Sequence, residues 1–335
     1  MINAAVVGLG WWGQKIVSDL EVSDVIRVVL VVDPQPESRS RAETLGLRAV
    51  ASLDEALADD SVDAVILCSP HKFHAEQIVA AAEAGRHIFC EKPLTTTSEE
   101  GHRAIEAVRT AGVQIGIGHE RRFEPAMLAL RESCASGEIG TPLVLEGNFS
   151  QDKFLDLAPD NWRLSNAEAP VGPLSATGIH LVDLAIALLG RPTEVWARLS
   201  TQATTFENGD TLTITLGFEK GTTALITAIL TTPFAGRVTL LGSRGWIEIR
   251  DRQHPEDPQG WDVTTVLRGA APSTEFFAPH PTVRDNIEAF ARAASGGPSY
   301  PMTHEEMLAN VATFEAITRS ARTGLVEQVR VGAVG

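Results

Sequence analysis

Short apolar runs recur through the first ~120 residues: Ala4 to Val7, Val25 to Val32, Asp63 to Ser69, His87 to Cys90 and Val113 to Ile117. Between them, apolar positions fall at helical spacing up to Leu20, from Lys72 to Ala84, and from Thr97 to about Ala111. Ser52 with Glu55 and Thr97 with Glu100 have capping-box spacing, Pro70 stops the third run, and Gly85 stands where a helix C-cap favours glycine. Runs that are apolar at nearly every position belong to strands covered on both faces. This half therefore reads as α/β, a doubly wound parallel sheet.

After a helical stretch from Pro125 to Gly137 the pattern changes. Pro142 to Ser150, Val195 to Ala203, Thr211 to Phe218, Thr222 to Leu230, Val238 to Leu241 and Trp246 to Ile249 are rich in Val, Thr and Ile and are separated by glycine-containing turns. Consecutive strands on short turns pair antiparallel, so a second α/β domain on a mainly antiparallel sheet is expected. Gly172 to Gly190 reads as an apolar helix, Val283 to Ala294 and His304 to Arg322 as closing helices, and 151–170 and 250–282 as loops. The expected division is 1–120 and 121–335.

The first strand runs into Gly8, Gly10 and Gly13, at G-x-G-x-x-G spacing around Trp11 and Trp12. Gly8 permits the turn, Gly10 lets the backbone approach a pyrophosphate, and Gly13 lets the helix pack close to its strand. Phosphates would then meet free N–H groups and the positive end of the helix dipole. The second strand ends at Asp33, about 20 residues beyond Gly13, the spacing of an acid that hydrogen-bonds an adenosine ribose. A carboxylate there repels a 2′-phosphate, which favours NAD; Arg39 and Arg41 leave NADP open. The first domain is thus an NAD(P)-binding one.

Composition narrows the class. The net charge of −15 argues against a nucleic-acid partner. Cys68, Cys90 and Cys134 are odd in number and scattered, which fits buried thiols in a reducing cytoplasm. No apolar stretch approaches the ~20 residues of a spanning helix, so no membrane partner is expected. His119-Glu120-Arg121-Arg122 is not a zinc motif, because Phe123 stands where the second histidine belongs, and no other residues have metal-ligand spacing.

Ligands of doubly wound sheets lie beyond the carboxyl ends of the strands. Those ends here are Ser69-Pro70-His71-Lys72-Phe73-His74, Glu91-Lys92-Pro93 and His119 to Phe123. Together with the glycine turn, Arg121-Arg122-Phe123-x-Pro125 and Gly178-Ile179-His180-Leu181-Val182-Asp183, they resemble the Gfo/Idh/MocA oxidoreductases in composition and order. The resemblance implies a Rossmann domain followed by a domain on an open sheet that mediates dimers or tetramers. It implies a sugar, cyclitol or cyclic diol as substrate, with Lys92 beside the nicotinamide and His180 against the substrate hydroxyl as catalytic residues. An ammonium hydrogen-bonds a substrate oxygen, and desolvation brings a lysine toward the range useful for proton transfer. Ser69, Pro70, His71, His74, Glu91, Arg121, Trp162 and Arg163 are expected near the cofactor. His119, Lys153, Arg163 and Thr177 are expected near the substrate, where Lys153 and Arg163 would suit a carboxylate or phosphate. At helical spacing Asp183 shares a face with His180 and could orient it.

The chain departs from the resemblance at one point. Many members carry an aspartate four residues before the histidine, and this chain has Ala176, flanked by Ser175 and Thr177. Acid–base work then rests on Lys92 and His180 with help from a hydroxyl, or hydride chemistry has been lost. Two other readings stay open: a sensor that binds NAD and a ligand without turnover, and NAD-assisted glycoside cleavage.

Overall fold

The computed structural model describes residues 1–332; the last three positions of the expected second domain lie outside the described residues. In chain order the elements are β1 (Ile2–Val7), α1 (Trp11–Leu20), β2 (Ile26–Val32), α2 (Pro36–Thr44), β3 (Arg48–Val50), α3 (Leu53–Leu57), β4 (Ala64–Leu67), α4 (His74–Glu83), β5 (His87–Cys90), α5 (Ser98–Ala111), β6 (Ile115–Ile117) and α6 (Pro125–Ala135). There follow β7 (Pro142–Ser150), α7 (Ile179–Leu189), β8 (Pro192–Ser200), β9 (Thr211–Phe218), β10 (Thr223–Ile229), β11 (Ala235–Gly242), β12 (Gly245–Asp251), β13 (Trp261–Leu267), β14 (Ser273–Phe277), α8 (Thr282–Ala294), α9 (His304–Thr323) and β15 (Glu327–Gln328).

These elements form two compact units, and the chain does not divide at a single point. One unit holds residues 1–120 and 281–307, the other 121–280 and the chain from Leu308 onward. In the first, six strands lie in the order β3-β2-β1-β4-β5-β6, every pairing parallel. β4 is buried at all of its positions and β1 at all but Asn3, as their predominantly apolar residues require. The order reverses between β2 and β4 on either side of β1, so the turn after β1 opens at the switch point. Both expected caps are present: Ser52 and Glu55 exchange hydrogen bonds, and the Thr97 side chain accepts from the Glu100 N–H. α8 returns to this unit and packs on β5 and β6. Asn286 Nδ2 donates to the Ile117 carbonyl (2.9 Å), and the Tyr300 hydroxyl donates to Asn286 Oδ1 (2.6 Å). This buried network fixes the end of β6.

The second unit is built on nine strands, ordered β14-β13-β12-β11-β7-β10-β9-β8-β15. Consecutive strands from β8 to β10 and from β11 to β14 pair antiparallel, whereas β7 and β10, far apart in sequence, pair parallel at the centre. The expected loop 250–282 contains β13 and β14 instead. In β13, Trp261 and Val263 turn into the core while Asp262 and Thr264 point away, an alternation that a stretch rich in charge and proline conceals. One face of the sheet meets the buried apolar side chains of α6, α7 and α9. The opposite face carries a row that runs across neighbouring strands as Trp196, Thr215, Leu225, Glu146, Thr239, Glu248, Thr264 and Thr274.

Candidate functional site

In the first unit the glycine turn has the geometry a phosphate needs. Gly8 takes φ +93°, and a Cβ there would stand 3.0 Å from the Cys68 carbonyl oxygen. A Cβ on Gly13 would fall on the Gly8 carbonyl, so helix and turn touch through backbone alone. Gly10, by contrast, has nothing within 4 Å of its would-be Cβ. It precedes a helix with no side-chain cap and no acid in its first turn, which leaves N–H groups for an anion. Trp11 is 46% exposed beside this opening and packs edge-on against Trp12.

Asp33 links this turn to the end of β2. Its Oδ2 accepts from the Leu9 N–H (2.8 Å) and its Oδ1 from the Gln35 N–H (2.9 Å), leaving further lone pairs for a ribose hydroxyl. The Arg39 guanidinium lies at the same strand end, donating to the carbonyls of Asp33 and Pro34. The turn, the open space at Gly10 and this carboxylate fit a dinucleotide.

The other strand ends behave differently from one another. His74 is fully buried and staples two loops, with Nδ1 2.8 Å from the Pro93 carbonyl and Nε2 2.9 Å from that of Ser69. A neutral ring donates to only one of them, and burial lowers its affinity for a second proton. The expected cofactor contact is therefore a structural one. The Ser69 hydroxyl donates to Gln77, His71 lies edge-on to His74, and His119, two residues past β6, is buried. Lys92 is half-buried and joined to Pro93 by a cis peptide. Glu91 beside it is buried, and burial raises its carboxyl above the usual range.

In the second unit, Arg121 is fully buried. Its Nε and Nη2 reach Glu124 (2.8 and 3.2 Å) and its Nη2 reaches Asp251 (2.7 Å), while the guanidinium covers the Phe149 ring at 5.3 Å. Expected at the cofactor, its side chain instead holds this unit together. Two carboxylates share that one cation. Burial and the Asp251 charge push the Glu124 carboxyl up to about 7 despite Arg121. Arg122 forms a two-point ion pair with Asp183 (2.7 Å for each bond), which also accepts from Asn310. The acid on the His180 face is thus gripped from a distant segment.

His180 opens α7 just after a π-helical turn at Leu174–Gly178, a deviation common at functional positions. Within that turn the Ser175 hydroxyl donates to the Pro170 carbonyl (2.7 Å) and that of Thr177 to the Pro173 carbonyl (3.3 Å). Neither proton replaces the acid that Ala176 omits. His180 lies 5.8 Å from the Phe149 ring, and His254 lies 5.5 Å from the same ring on its way to Phe234.

The loop after β12 brings further charge. Lys153 pairs with Glu256 (2.5 Å) and lies 3.2 Å from His254 Nδ1, so it is engaged within the protein. Arg163 stacks on Trp162 at 4.4 Å, and burial pulls it down to about 10 against the attraction of Glu256. Phe149, Phe234, His254 and Glu256 escape sequence reasoning, because residues from separate strands and loops meet only through the sheet. Among the described residues no group of three or more His, Cys, Asp or Glu side chains could hold a metal ion. No helix among them is long and apolar enough to cross a membrane. Cys90 is buried, Cys68 and Cys134 are partly exposed, and all three are free thiols.

Comparison with known proteins agrees with this geometry. Residues 2–119 match the oxidoreductase family with an NAD-binding Rossmann fold, and residues 127–248 match the GFO/IDH/MocA C-terminal domain. The chain is 29% identical to an NADP(+)-linked D-xylose 1-dehydrogenase of Haloferax volcanii, over 93% of this chain and 94% of that one. It is 30% identical to a 1,5-anhydro-D-fructose reductase of Ensifer adhaerens, over 85% of each chain. The aldose-aldose oxidoreductase of Caulobacter crescentus, solved with glycerol, superposes with a TM-score of 0.87 at 25% identity, over 98% of this chain and 99% of that one. With the Rossmann signature, the second-domain match and relatives of nearly equal length, the chain belongs to the Gfo/Idh/MocA family of NAD(P)-dependent oxidoreductases.

Proposed function

We propose that the protein oxidises or reduces a hydroxyl or carbonyl carbon of a sugar, cyclitol or cyclic diol, with NAD as the preferred cofactor. The observation that carries this reading is the open backbone cradle at Gly10, bordered by Asp33. The sugar dehydrogenase and reductase names of its relatives support the substrate class. Bound nicotinamide supplies the hydride acceptor or donor.

This chain's residues do the rest. Backbone N–H groups at the start of α1 hold the phosphates, and Asp33 takes the ribose hydroxyls and disfavours a 2′-phosphate. Lys92 donates a hydrogen bond to the substrate oxygen and stabilises charge developing there, while His180 carries the hydroxyl proton. Lys92→Ala should leave NAD affinity intact and cut turnover at least ~100-fold, the usual scale of a general acid–base group. Retained turnover would remove Lys92 from the chemistry.

A second reading, ligand binding without net turnover, draws on Ala176 and on the committed hydroxyls of Ser175 and Thr177. A screen for NADH formation across polyols separates the two, since a sensor binds NAD and produces no NADH. For the assembly we propose a homo-oligomer formed through the open sheet face, where Trp196, Leu225 and Phe276 are exposed. The three unpaired thiols suit a reducing cytoplasm.

A further inference from the structure

Glu91 is among the least expected groups in the first unit, an acid only 8% exposed at the end of a buried strand. Three elements converge on it. From the segment just beyond β6 comes Gly118, where any side chain would strike the carboxylate: a Cβ there would stand 2.5 Å from both Cδ and Oε2. From the start of α1, inside the phosphate turn, the Trp12 indole nitrogen faces the carboxylate and favours its charged form, though its geometry falls short of a full hydrogen bond. From its own strand the Lys92 N–H points to Oε2 at 3.3 Å. The charged and titratable groups facing Glu91 are Lys92, which stabilises its charge, and the thiols of Cys68 and Cys90, whose ionisation it opposes.

Gly118 leaves room for this carboxylate one residue before the lysine; burial raises the carboxyl above its usual range, and Trp12 and then Lys92 act against that rise. We propose that Glu91 is a positioning residue for the reaction: seated between Trp12 and Gly118, its carboxylate keeps the neighbouring Lys92 ammonium protonated and held at the end of β5. This inference rests on the assignment of Lys92 to the chemistry. Attraction between two charges is mutual, so whatever Lys92 does to favour the Glu91 carboxylate, Glu91 does for the ammonium. Burial makes that attraction larger than it would be at the surface. Trp12 stands in the first turn of α1, directly after the glycine turn, so the side chain that favours the Glu91 charge belongs to the segment proposed to hold the phosphates.

The test needs no turnover. The chain has five lysines, at positions 15, 72, 92, 153 and 220. Reductive methylation with carbon-13 formaldehyde gives few NMR signals, and Lys92→Arg assigns the one that matters. In Glu91→Gln, Lys92 should titrate about one pH unit or more below wild type. Glu91→Asp, which restores the charge, should recover most of the difference. Gly118→Ala, which retains every charge but displaces the carboxylate, should lower it by a smaller amount and decides the matter if Glu91→Gln does not fold. An unchanged Lys92 titration in the folded variants, or equal effects of Gln and Asp, overturns the proposal. Because the readout is the resting protein, it stays distinct from the turnover of Lys92→Ala, which tests whether Lys92 is catalytic at all.

Discussion

Replacing Gly10 by alanine separates the cofactor role of the glycine turn from its role in folding. Gly10 has φ −64°, which alanine adopts readily, and its new Cβ would meet no protein atom within 4 Å. Losing a glycine from the unfolded chain favours folding by ~0.4–1 kcal/mol, and a poorer N-cap returns part of it, so stability should change by less than about 1 kcal/mol. Bound phosphate oxygens would lie about 2.9 Å from backbone nitrogens, in the space the methyl group takes. Losing one charged hydrogen bond of ~1.5–3 kcal/mol should weaken NAD binding about 10- to 100-fold. Gly13→Ala is the control: its Cβ collides with the Gly8 carbonyl, and overpacking of that kind should cost ~1–3 kcal/mol of stability. Isothermal calorimetry with NAD and urea unfolding read the two effects. If Gly10→Ala binds NAD as wild type does, phosphate does not approach there.

The Glu124 carboxyl, near 4.5 when unfolded and pushed to about 7 when folded, binds its proton more tightly in the native state. Stability from this group is therefore fully present below pH ~4.5 and falls as pH rises toward ~7, by up to about 3 kcal/mol. Urea melts from pH 5 to 8 should show that decline in wild type and lose most of it in Glu124→Gln; equal slopes would refute the coupling. Asp33→Asn keeps an acceptor for the Leu9 N–H but removes the charge, and should narrow the preference for NAD over NADP by about tenfold or more in measured Kd values. If the proposed homo-oligomer forms through this face, wild type should elute above the mass of one chain in light-scattering chromatography and Leu225→Glu, in the exposed row of the sheet, should reduce it to that of one chain without unfolding; a wild type of single-chain mass, or an unchanged mass in the variant, would refute the proposed interface.

The parallel sheet was legible because β4 is apolar throughout and β1 and β2 are broken only by Asn3 and Arg27, and the glycine turn by its spacing. Helix α2 was not: its sequence, PESRSRAET, buries only Ala42, so no apolar face marks it. Nor was the return of α8 to the first unit, since the Asn286, Tyr300 and Ile117 network is formed across roughly 170 to 185 positions of chain. At the candidate site, sequence supplied residue types at strand ends but not their allegiances. His74, Arg121 and Lys153 are residues that ligand sites favour, and here each is occupied by protein partners. Burial and pairing depend on side chains from distant segments, which local pattern does not encode. Glu91 shows the converse, for only Gly118, just past the end of β6, reveals that its carboxylate has a prepared place.

The most direct measurement follows NADH absorbance during steady-state incubation of NAD with a panel of sugars, cyclitols and cyclic diols, for wild type and for Lys92→Ala, alongside calorimetric NAD affinity for both. Wild type should form NADH with at least one compound, and the variant should bind NAD equally well while turning over at least ~100-fold more slowly. NAD binding with no NADH from any compound, or a variant as fast as wild type, would contradict the account.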